Sequence, residues 1–255
     1  MPPDLTSPPQ AFRLLVEYDG TNYAGWQRQA HSPTVQQTLE EALERLLLHP
    51  VRVTAAGRTD TGVHALGQVV RFVSPASHAT ANALLRGGNR FLPDDIRIIK
   101  AEPCSPAFDP RRHATMRWYR YTLVNRPVAP VLDRHRMLHV HEKINWNRVE
   151  TALGYLRGDH EFKAFRAASC TAVRTRLTMK VAEHIDQHPI HHFDFKCRSF
   201  LQNMIRILVG LLLDVGRGKI PPEYFLELFE SGQQTIEFRV APPHGLVLMQ
   251  VDYPA

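Results

Sequence analysis

The sequence predicts an α+β fold built from two tandem β-α-β-β-α-β halves, the split β-α-β order that is also called ferredoxin-like. Three observations lead to this prediction. Apolar residues switch between the two-residue period of strands and the 3.6-residue period of helices. The resulting order of elements occurs twice, and each copy closes with a strand. We expect the halves to join into one extended mixed and antiparallel sheet, with helices on one face and a central cleft.

The first half opens with a strand over 12–18. Thr34 then starts a helix, and Gln37, three residues later, completes a capping box. Apolar residues recur at helical spacing until His49–Pro50 ends the helix. This apolar face consists of Val35, Leu39, Ala42, Leu43, Leu46 and Leu47. The remaining elements are two strands, a second helix and a closing strand, over 51–53, 68–73, 81–90 and 95–100.

The second half repeats this order, beginning with a strand over 117–124. Asn145 caps a helix that Gly158 ends. Strands over 174–185 and 192–198 form a hairpin, and alternation of apolar and polar residues in the second of them predicts one buried face. The remaining elements are an apolar helix, a short helix and a closing strand, over 200–215, 223–229 and 245–251.

Composition places limits on the organisation and the location of the protein. The chain has 255 residues, of which 44% are hydrophobic, and this is enough for a substantial core. We expect a disordered lead-in over 1–10, an N-terminal half over 11–108 and a C-terminal half over 109–255. The lead-in lacks the basic start and apolar run of a signal peptide, and the most apolar stretch, 204–215, is too short to span a bilayer. We therefore expect a cytoplasmic protein without a membrane partner.

Charge and cysteine content narrow the class of partner. The formal net charge is +6 and the sequence pI is about 9.4. A basic protein of this kind favours a polyanionic partner, nucleic acid first and an anionic membrane second. The three cysteines form no Cys-x-x-Cys motif, which indicates a reducing compartment.

The stretch Gly57–His64 holds the first candidate site. Asp60 lies in a polar loop between two predicted strands, with Arg58 two residues before it. If the loop is extended, the two side chains point to the same side. A guanidinium beside a carboxylate favours its ionised form, which suits a nucleophile or a stabiliser of a cation better than a general acid. The alternative is a structural turn, because Asp, Thr and Gly are common turn residues.

The stretch 110–131 contains no Asp or Glu and holds the second candidate site. Arginines bind phosphates and aromatic rings stack on unpaired bases, so we expect Arg111, Arg112, Arg117 and Arg120 to contact RNA. On a strand, Arg117, Tyr119 and Tyr121 share one face and Trp118 and Arg120 share the other. The alternative is a half-buried strand with a solvated basic face.

An arginine within an apolar helix and a cluster of histidines are two further candidate features. Arg206 lies inside an apolar helix, where it either reaches the surface along its aliphatic stem or pairs with an ion in the cleft. Four histidines cluster at 184–192, but a hairpin tip is a poor frame for a metal. We therefore expect no metal site, and no Gly-rich phosphate loop is present.

Several motifs occur in a characteristic order. They are Glu17–Thr21 with Gly25–Gln29, Ala56–Ala65, Tyr119–Tyr121, Phe162 with Phe165–Arg166, Met204–Gly210, and Gly245–Leu246 with Val251–Tyr253. Together these motifs resemble the tRNA pseudouridine synthase A family over nearly the whole chain after the lead-in. One departure is Gln202–Asn203, where many members carry a basic residue, and it affects one expected phosphate contact.

The resemblance implies conversion of uridine to pseudouridine at positions 38 to 40 of the tRNA anticodon arm, by a homodimer without a cofactor. Asp60 matches the catalytic aspartate of the central cleft, and Arg58 matches the residue that helps to displace the target nucleotide. Tyr119 matches the residue that packs on the uracil, and Arg206 matches the partner of Asp60. Leu246 and Arg28, in the closing and opening motifs, match positions that contact substrate and RNA.

Two alternative functions follow from parts of the same sequence. An aspartic protease shares the Asp60–Gly62 tripeptide, but it needs two carboxylates that share a proton, and no second Asp-Thr-Gly occurs. A non-catalytic RNA-binding module shares the β-α-β-β-α-β order, but its Lys/Arg-Gly-Phe/Tyr signature is absent. Whether Asp60 attacks C1′, attacks C6 or removes a 2′ proton stays open at this level, as does the base that removes the C5 proton.

Overall fold

A computed structural model describes residues 9–76, 78–234 and 239–254 of the chain. The chain divides into two compact units, Met1–Thr115 with Leu248–Ala255, and Met116–Val247. Both units combine strands with helices, so the predicted α+β class is confirmed. Within the described ranges, no helix combines the length and the apolar character that crossing a membrane requires.

The first unit has the predicted β-α-β-β-α-β order. Its elements are β1 (Gln10–Tyr18), α1 (Val35–Leu47), β2 (Thr54–Ala55), β3 (His64–Ser74), α2 (Ala81–Phe91) and β4 (Ile96–Pro103). The strand order β4-β1-β3 is antiparallel throughout, and the short strand β2 pairs with β3. Residues 1–8 of the predicted lead-in lie outside the described residues, and Gln10 already belongs to β1.

One face of β1 is apolar and buried, as its two-residue period requires. Phe12, Leu14 and Val16 are fully buried on this face. Helix α2 packs on the same side, because a Cβ added to Gly88 would lie 2.7 Å from Cδ1 of Ile98 on β4. The helices of this unit therefore cover the face that carries its core.

The N-terminus of α1 is capped as predicted, although only half of the capping box forms. The Thr34 hydroxyl accepts a hydrogen bond from the Gln37 N–H at 3.3 Å. The Gln37 side chain does not return to Thr34 but donates to Oε1 of Glu41 at 2.8 Å. A cap of this kind depends on neighbours in sequence, which explains why the sequence alone locates it.

The predicted strand over 51–53 is wrong, and strand pairing in this region starts only at Thr54. The backbone N–H of Val51 donates to Oε1 of Glu44, at 3.1 Å. The N–H of Val53 donates to Oε1 of Glu40, at 3.0 Å. Carboxylates of α1 thus occupy the N–H groups that would otherwise donate to a neighbouring strand. The β-branched residues Val51 and Val53 therefore lie outside the sheet.

The second unit contains the elements predicted for it before the closing strand, and two short strands that the sequence did not reveal. Its elements are β5 (Met116–Asn125), β6 (Leu138–Val140), α3 (Trp146–Leu156), β7 (Gly158–Glu161), β8 (Arg176–Gln187), β9 (Ile190–Cys197), α4 (Met204–Gly216) and α5 (Tyr224–Ser231). The strand order is β5-β9-β8-β7, with antiparallel neighbours, and β6 pairs with β5 in parallel. The mixed character of the sheet is therefore confirmed, and β6 is its parallel strand within this unit.

The final strand, β10 (Leu246–Asp252), lies beside β3. The approach is close at Gly67, where an added Cβ would lie 2.3 Å from the carbonyl oxygen of Met249. The boundary between predicted halves at residue 108 stays a prediction, as do the joining of the halves and the cleft between them.

Helix α4 is the apolar centre of the second unit. Apart from Arg206, all its residues from Met204 to Gly216 are buried, as expected for a helix that is apolar on every side. At Gly216 a Cβ would lie 2.7 Å from Cγ2 of Ile144 and 2.9 Å from Cγ2 of Val149, so α4 packs closely on the start of α3.

The histidine cluster of the β8–β9 hairpin packs against the start of α3. The Trp146 ring at the start of α3 stacks on the rings of His184 and His191, at 4.4 Å and 4.0 Å between centroids. Nε2 of His184 lies 3.0 Å from Nδ1 of His191. Burial lowers the pKa of His191 to about 4, although Oδ1 of Asp186 lies 3.4 Å from its ring. His191 is therefore neutral in the folded protein near pH 7.

We predict that His191 makes stability depend on pH. The folded-state pKa of about 4 lies below the ordinary value of 6.5, so the unfolded chain binds the proton first as the pH falls. The contribution of His191 to stability should be constant above about pH 6.5 and should decrease by as much as about 3 kcal/mol between pH 6.5 and 4. Denaturant unfolding of the protein and of His191→Gln at several pH values measures this decrease.

The Gln variant should lose most of that slope, whereas His188→Gln, at an exposed position of the same hairpin, should retain it. Equal slopes in all three proteins would show that another group titrates.

Candidate active site

The loop from Gly57 to Gly62 connects β2 to β3 and carries two of the predicted site residues. Along it Arg58 is exposed, Thr59 is buried and Asp60 is half-buried. This burial pattern follows the alternation of an extended segment, in which successive side chains point to opposite sides. Thr59 is thus the inward residue of the loop, between the two predicted functional side chains.

The segment after β1 holds this loop through its backbone. The N–H of Trp26 donates to the carbonyl of Thr59 at 3.0 Å, and the N–H of Gly62 donates to the carbonyl of Tyr23 at 3.3 Å. Between these bonds Gly25 has a φ of +86°, and a Cβ on it would lie 2.7 Å from the Thr59 oxygen. Glycine alone combines this backbone conformation with so close an approach.

A second close approach holds the end of the loop. The N–H of Gly20 donates to Nδ1 of the buried His64 at 3.0 Å. A Cβ added to Gly20 would lie 2.1 Å from the carbonyl oxygen of Val63. The opening motif of the sequence is therefore the support of the Asp60 loop, a relation that its separation in sequence conceals.

Below the loop lies a group of buried polar side chains that the sequence analysis missed. The hydroxyl groups of Tyr18 and Thr59 are 2.8 Å apart. Nε2 of Gln68 donates to the carbonyl of Gly57 at 2.9 Å and lies 3.5 Å from the Tyr18 hydroxyl oxygen. All three side chains are buried. The signal in the sequence was weak, because a tyrosine and a glutamine within strands give no sign of partners 41 to 50 residues away.

In the second unit, Tyr119 lies on the helix-covered face of β5. It is buried, and its ring meets the ring of Phe200 edge to face at 5.3 Å. Register with β9 pairs Tyr119 with Phe195 and Tyr121 with Phe193, all of them buried. The predicted sharing of faces along β5 therefore holds, and Tyr119 lies beside the rings of a buried aromatic face.

Arg206 lies in the first turn of α4 and is held by the chain that precedes β10. Its Nε donates to the carbonyl of Ala241 at 2.8 Å, and its Nη1 donates to Oδ1 of Asn203 at 2.9 Å. The Tyr121 hydroxyl donates to the next carbonyl, that of Pro242, at 2.9 Å. Burial raises the pKa of Tyr121, and the charge of Arg206 opposes this rise. The guanidinium is therefore fixed near β5.

Leu246 is fixed in a similar way. It follows a 3₁₀ turn, Pro243–Gly245, and is buried at the first position of β10. A Cβ on Gly245 would lie 2.7 Å from Cζ of Tyr121 and 2.8 Å from the carbonyl oxygen of Thr122. The glycine before Leu246 thus allows the chain to cross directly against β5.

Arg28 has an internal partner that the sequence did not reveal. Glu40, on the buried side of α1, is fully buried, and its Oε2 accepts from Nη1 of Arg28 at 3.1 Å and from Nη1 of Arg52 at 3.2 Å. Gln36 also donates to Glu40, at 3.0 Å. A buried carboxylate needs such partners, so Glu40 orients an arginine of the opening motif.

Arg111 and Arg112 are exposed beside a turn that Asp109 organises. Oδ1 of Asp109 accepts the backbone N–H groups of Arg111 and Arg112 at 2.8 Å and 2.9 Å. These bonds, that of Arg112 first, hold the pKa of Asp109 below its ordinary value. The turn presents both guanidinium groups to solvent.

Arg117 and Arg120 have partners within the sheet. Arg117 is buried and donates to the carbonyl of Arg198. Arg120 makes a bidentate pair with the buried Asp194, through Nε at 2.7 Å and Nη2 at 2.8 Å. Hydrogen bonding to Asp194 raises the pKa of Arg120. The other face of β5 also carries Trp118, whose ring has Lys196 Nζ 4.6 Å from its centre.

The residues that the structure describes bring no three His, Cys, Asp or Glu side chains into an arrangement that holds a metal ion. Within the first unit the structure gathers Arg58 and Asp60 on one braced loop, and within the second it gathers Arg206 and Leu246 beside the strand of Tyr119. The first unit thus carries a carboxylate on a rigid loop, and the second carries basic and aromatic residues; enzymes that act on nucleic acid use groups of both kinds.

Comparison with known proteins narrows this class. A tRNA pseudouridine synthase family model matches residues 14–111 and 152–254. A tRNA pseudouridine synthase A of Pelobacter propionicus is 42% identical over 244 residues, which cover 96% of this chain and 100% of that protein. Proteins of the same name from Methylobacillus flagellatus and Geobacter sulfurreducens are 41% and 39% identical, over 94% and 96% of this chain and 92% and 100% of their own.

The chain belongs to the tRNA pseudouridine synthase family. The resemblance drawn from the sequence motifs is confirmed, and with it the prediction of an isomerase.

We predict that Gly25→Ala destabilises the first unit more than a positive φ alone explains. Gly218 is a matched control, since its φ is +77° but no atom lies within 4 Å of an added Cβ. The left-handed conformation should cost Gly218→Ala about 1 kcal/mol. Gly25→Ala adds the clash with the Thr59 carbonyl and should cost about 2 to 4 kcal/mol. Urea unfolding measures the free energy of unfolding of both variants. Equal losses would show that the loop shifts away from the added Cβ without an energetic penalty.

Proposed function

We propose that the protein isomerises uridine to pseudouridine at positions 38 to 40 of the tRNA anticodon stem-loop, with Asp60 as the catalytic carboxylate. The observation that carries this proposal is the bracing of the Asp60 loop by the Tyr23–Trp26 segment. A reacting group held in this way reaches its target with little reorganisation. Family membership supplies the reaction class, and the position of Asp60 within the matched motif supplies the residue.

The reaction breaks the N1–C1′ bond, turns the base and joins C5 to C1′. Breaking a glycosidic bond gives C1′ the character of an oxocarbenium ion. An ionised carboxylate stabilises or traps such a cation, and one carboxylate is sufficient because the base never leaves the site. We therefore assign Asp60 the role of nucleophile.

The target uridine lies in a stacked stem-loop and has to be flipped out of the stack, at a cost of a few kcal/mol. We propose that Arg58, exposed on the same loop as Asp60, occupies the vacated space. Tyr119 offers an aromatic surface on which the flipped uracil stacks. Arg206 acts as the ion partner of Asp60, and Leu246 lines the substrate site.

The remaining contacts belong to the tRNA backbone. We assign them to Arg28, Arg111, Arg112, Arg117 and Arg120. Of these, Arg28, Arg111 and Arg112 are exposed in the folded chain, where a phosphate can reach them directly. The net charge of +6 supports an RNA substrate in general.

We also propose that the protein works as a homodimer in the cytoplasm, without a cofactor. The three cysteines, Cys104, Cys170 and Cys197, are all free thiols, which is in keeping with a reducing compartment. The chemistry requires no redox change, since C1′ exchanges its bond to N1 for a bond to C5, and the proton that C5 loses is balanced by the proton that N1 gains.

The first prediction from this proposal concerns Asp60→Asn. This change keeps the size of the side chain and removes its charge, so conversion of unmodified tRNA should fall at least about a thousandfold. Release of tritium from uridine labelled at C5 reports the reaction, because C5 gives up its hydrogen. Asp94→Asn is a matched control, since Asp94 is an exposed carboxylate of the same unit, and it should react at the normal rate.

Normal conversion by Asp60→Asn would overturn the assignment of Asp60. Tight tRNA binding without conversion by the unaltered protein would instead favour a non-catalytic RNA-binding module.

The second prediction concerns Tyr119→Ala. The proposed contact of Tyr119 forms only after the base has flipped, so the single-turnover rate should fall about a hundredfold while tRNA affinity changes less than threefold. Filter binding gives the affinity, and thermal unfolding checks that loss of packing on Phe200 has not unfolded the protein. Parallel losses of affinity and rate would contradict this role.

A further inference from the structure

The structure places three buried polar side chains directly under the Asp60 loop. The Tyr18 and Thr59 hydroxyl groups are 2.8 Å apart, and the Gln68 amide donates to the Gly57 carbonyl at 2.9 Å. Tyr18 ends β1 and Gln68 lies within β3, two strands that pair in antiparallel register. The partners of the loop are therefore attached to the most regular part of the first unit.

We infer that Tyr18 and Gln68 are positioning residues for the isomerisation. They act on Thr59 and Gly57, and through these residues they fix the neighbouring Arg58 and Asp60. This inference rests on the proposed function of Asp60. It adds two residues to the working site and states how they act, namely by setting the direction of a reactive side chain that projects to the other side of the loop.

The geometry gives the Tyr18–Thr59 bond this role. Neighbouring side chains of an extended segment point to opposite sides. A rotation of Thr59 about the direction of the loop backbone therefore turns Asp60 with it. Both hydroxyl groups are buried, so water does not readily replace either of them, and removal of either one breaks the hydrogen bond between Tyr18 and Thr59. The loop would then relax and move Asp60 from its working position.

Other parts of the loop limit how far this movement extends. The Thr59 carbonyl is held by the N–H of Trp26, and the Trp26 ring lies 5.9 Å from the Tyr18 ring. Removal of the hydroxyl bond alone should therefore leave the loop folded but less well oriented. A displacement of this kind lowers the rate of the chemical step and leaves substrate binding largely intact.

A double-mutant cycle tests the inference. Tyr18→Phe and Thr59→Val each remove one hydroxyl group and keep nearly the same volume. We expect each to lower the single-turnover rate about tenfold, with tRNA affinity unchanged within twofold. Because both changes remove the same bond, the double variant should also be about tenfold slower, not a hundredfold.

Two controls separate positioning from stability. Tyr253→Phe removes a hydroxyl group that donates to the carbonyl of Pro110 at 2.8 Å in the same unit, and it should react at the normal rate. Thr59→Ser keeps the hydroxyl group and should restore the rate to within threefold of normal. All rates are measured well below the lowest unfolding temperature of the set, so that a loss of stability alone does not alter them.

The outcomes are distinct. Normal rates in Tyr18→Phe and Thr59→Val, or a hundredfold loss in the double variant, would overturn the inference while a slow Asp60→Asn variant kept the proposed function intact. If Thr59→Val does not fold, the pair Tyr18→Phe and Thr59→Ser decides, and equal rates for these two would overturn the inference. A normal rate in Asp60→Asn would overturn the proposed function and this inference together.

Discussion

The close approach of the segment after β1 to the Asp60 loop is the contact on which the candidate site depends. Gly25 lies so near the Thr59 carbonyl that a single added carbon would overlap it, and Gly20 lies even nearer to the Val63 carbonyl. Two backbone hydrogen bonds to Thr59 and from Gly62 then fix the loop on both sides of Asp60. The loop belongs to no strand, yet the carbonyls of Gly57 and Thr59 and the N–H of Gly62 are all hydrogen-bonded.

Much of the fold follows from local patterns in the sequence. The helix cap at Thr34 and the alternation along β5 depend on residues close in sequence, and both are found as predicted. The strand expected over 51–53 fails because Glu40 and Glu44 bind its backbone N–H groups from α1. The short strand β6 was missed because three residues carry too weak a period to be recognised.

In the candidate site, too, some features follow from the sequence and others only from the folded chain. Motifs in a fixed order were enough to indicate Asp60, Tyr119 and Arg206. The sequence did not reveal the groups that hold the Asp60 loop and Arg206, because Tyr18, Gln68 and the carbonyl of Ala241 come from distant positions and have ordinary surroundings in the chain. Residue type and spacing predict candidate site residues, whereas only the folded chain shows which groups contact the segments that carry them.

Some of the basic residues of the chain have partners inside the fold, and others are exposed to solvent. Arg28 and Arg120 neutralise the buried carboxylates of Glu40 and Asp194, and such carboxylates are strongly destabilising without a partner. Arg117 is likewise buried against a carbonyl. Arg111 and Arg112, by contrast, are exposed. The number of basic residues in the sequence therefore overstates the number that face solvent.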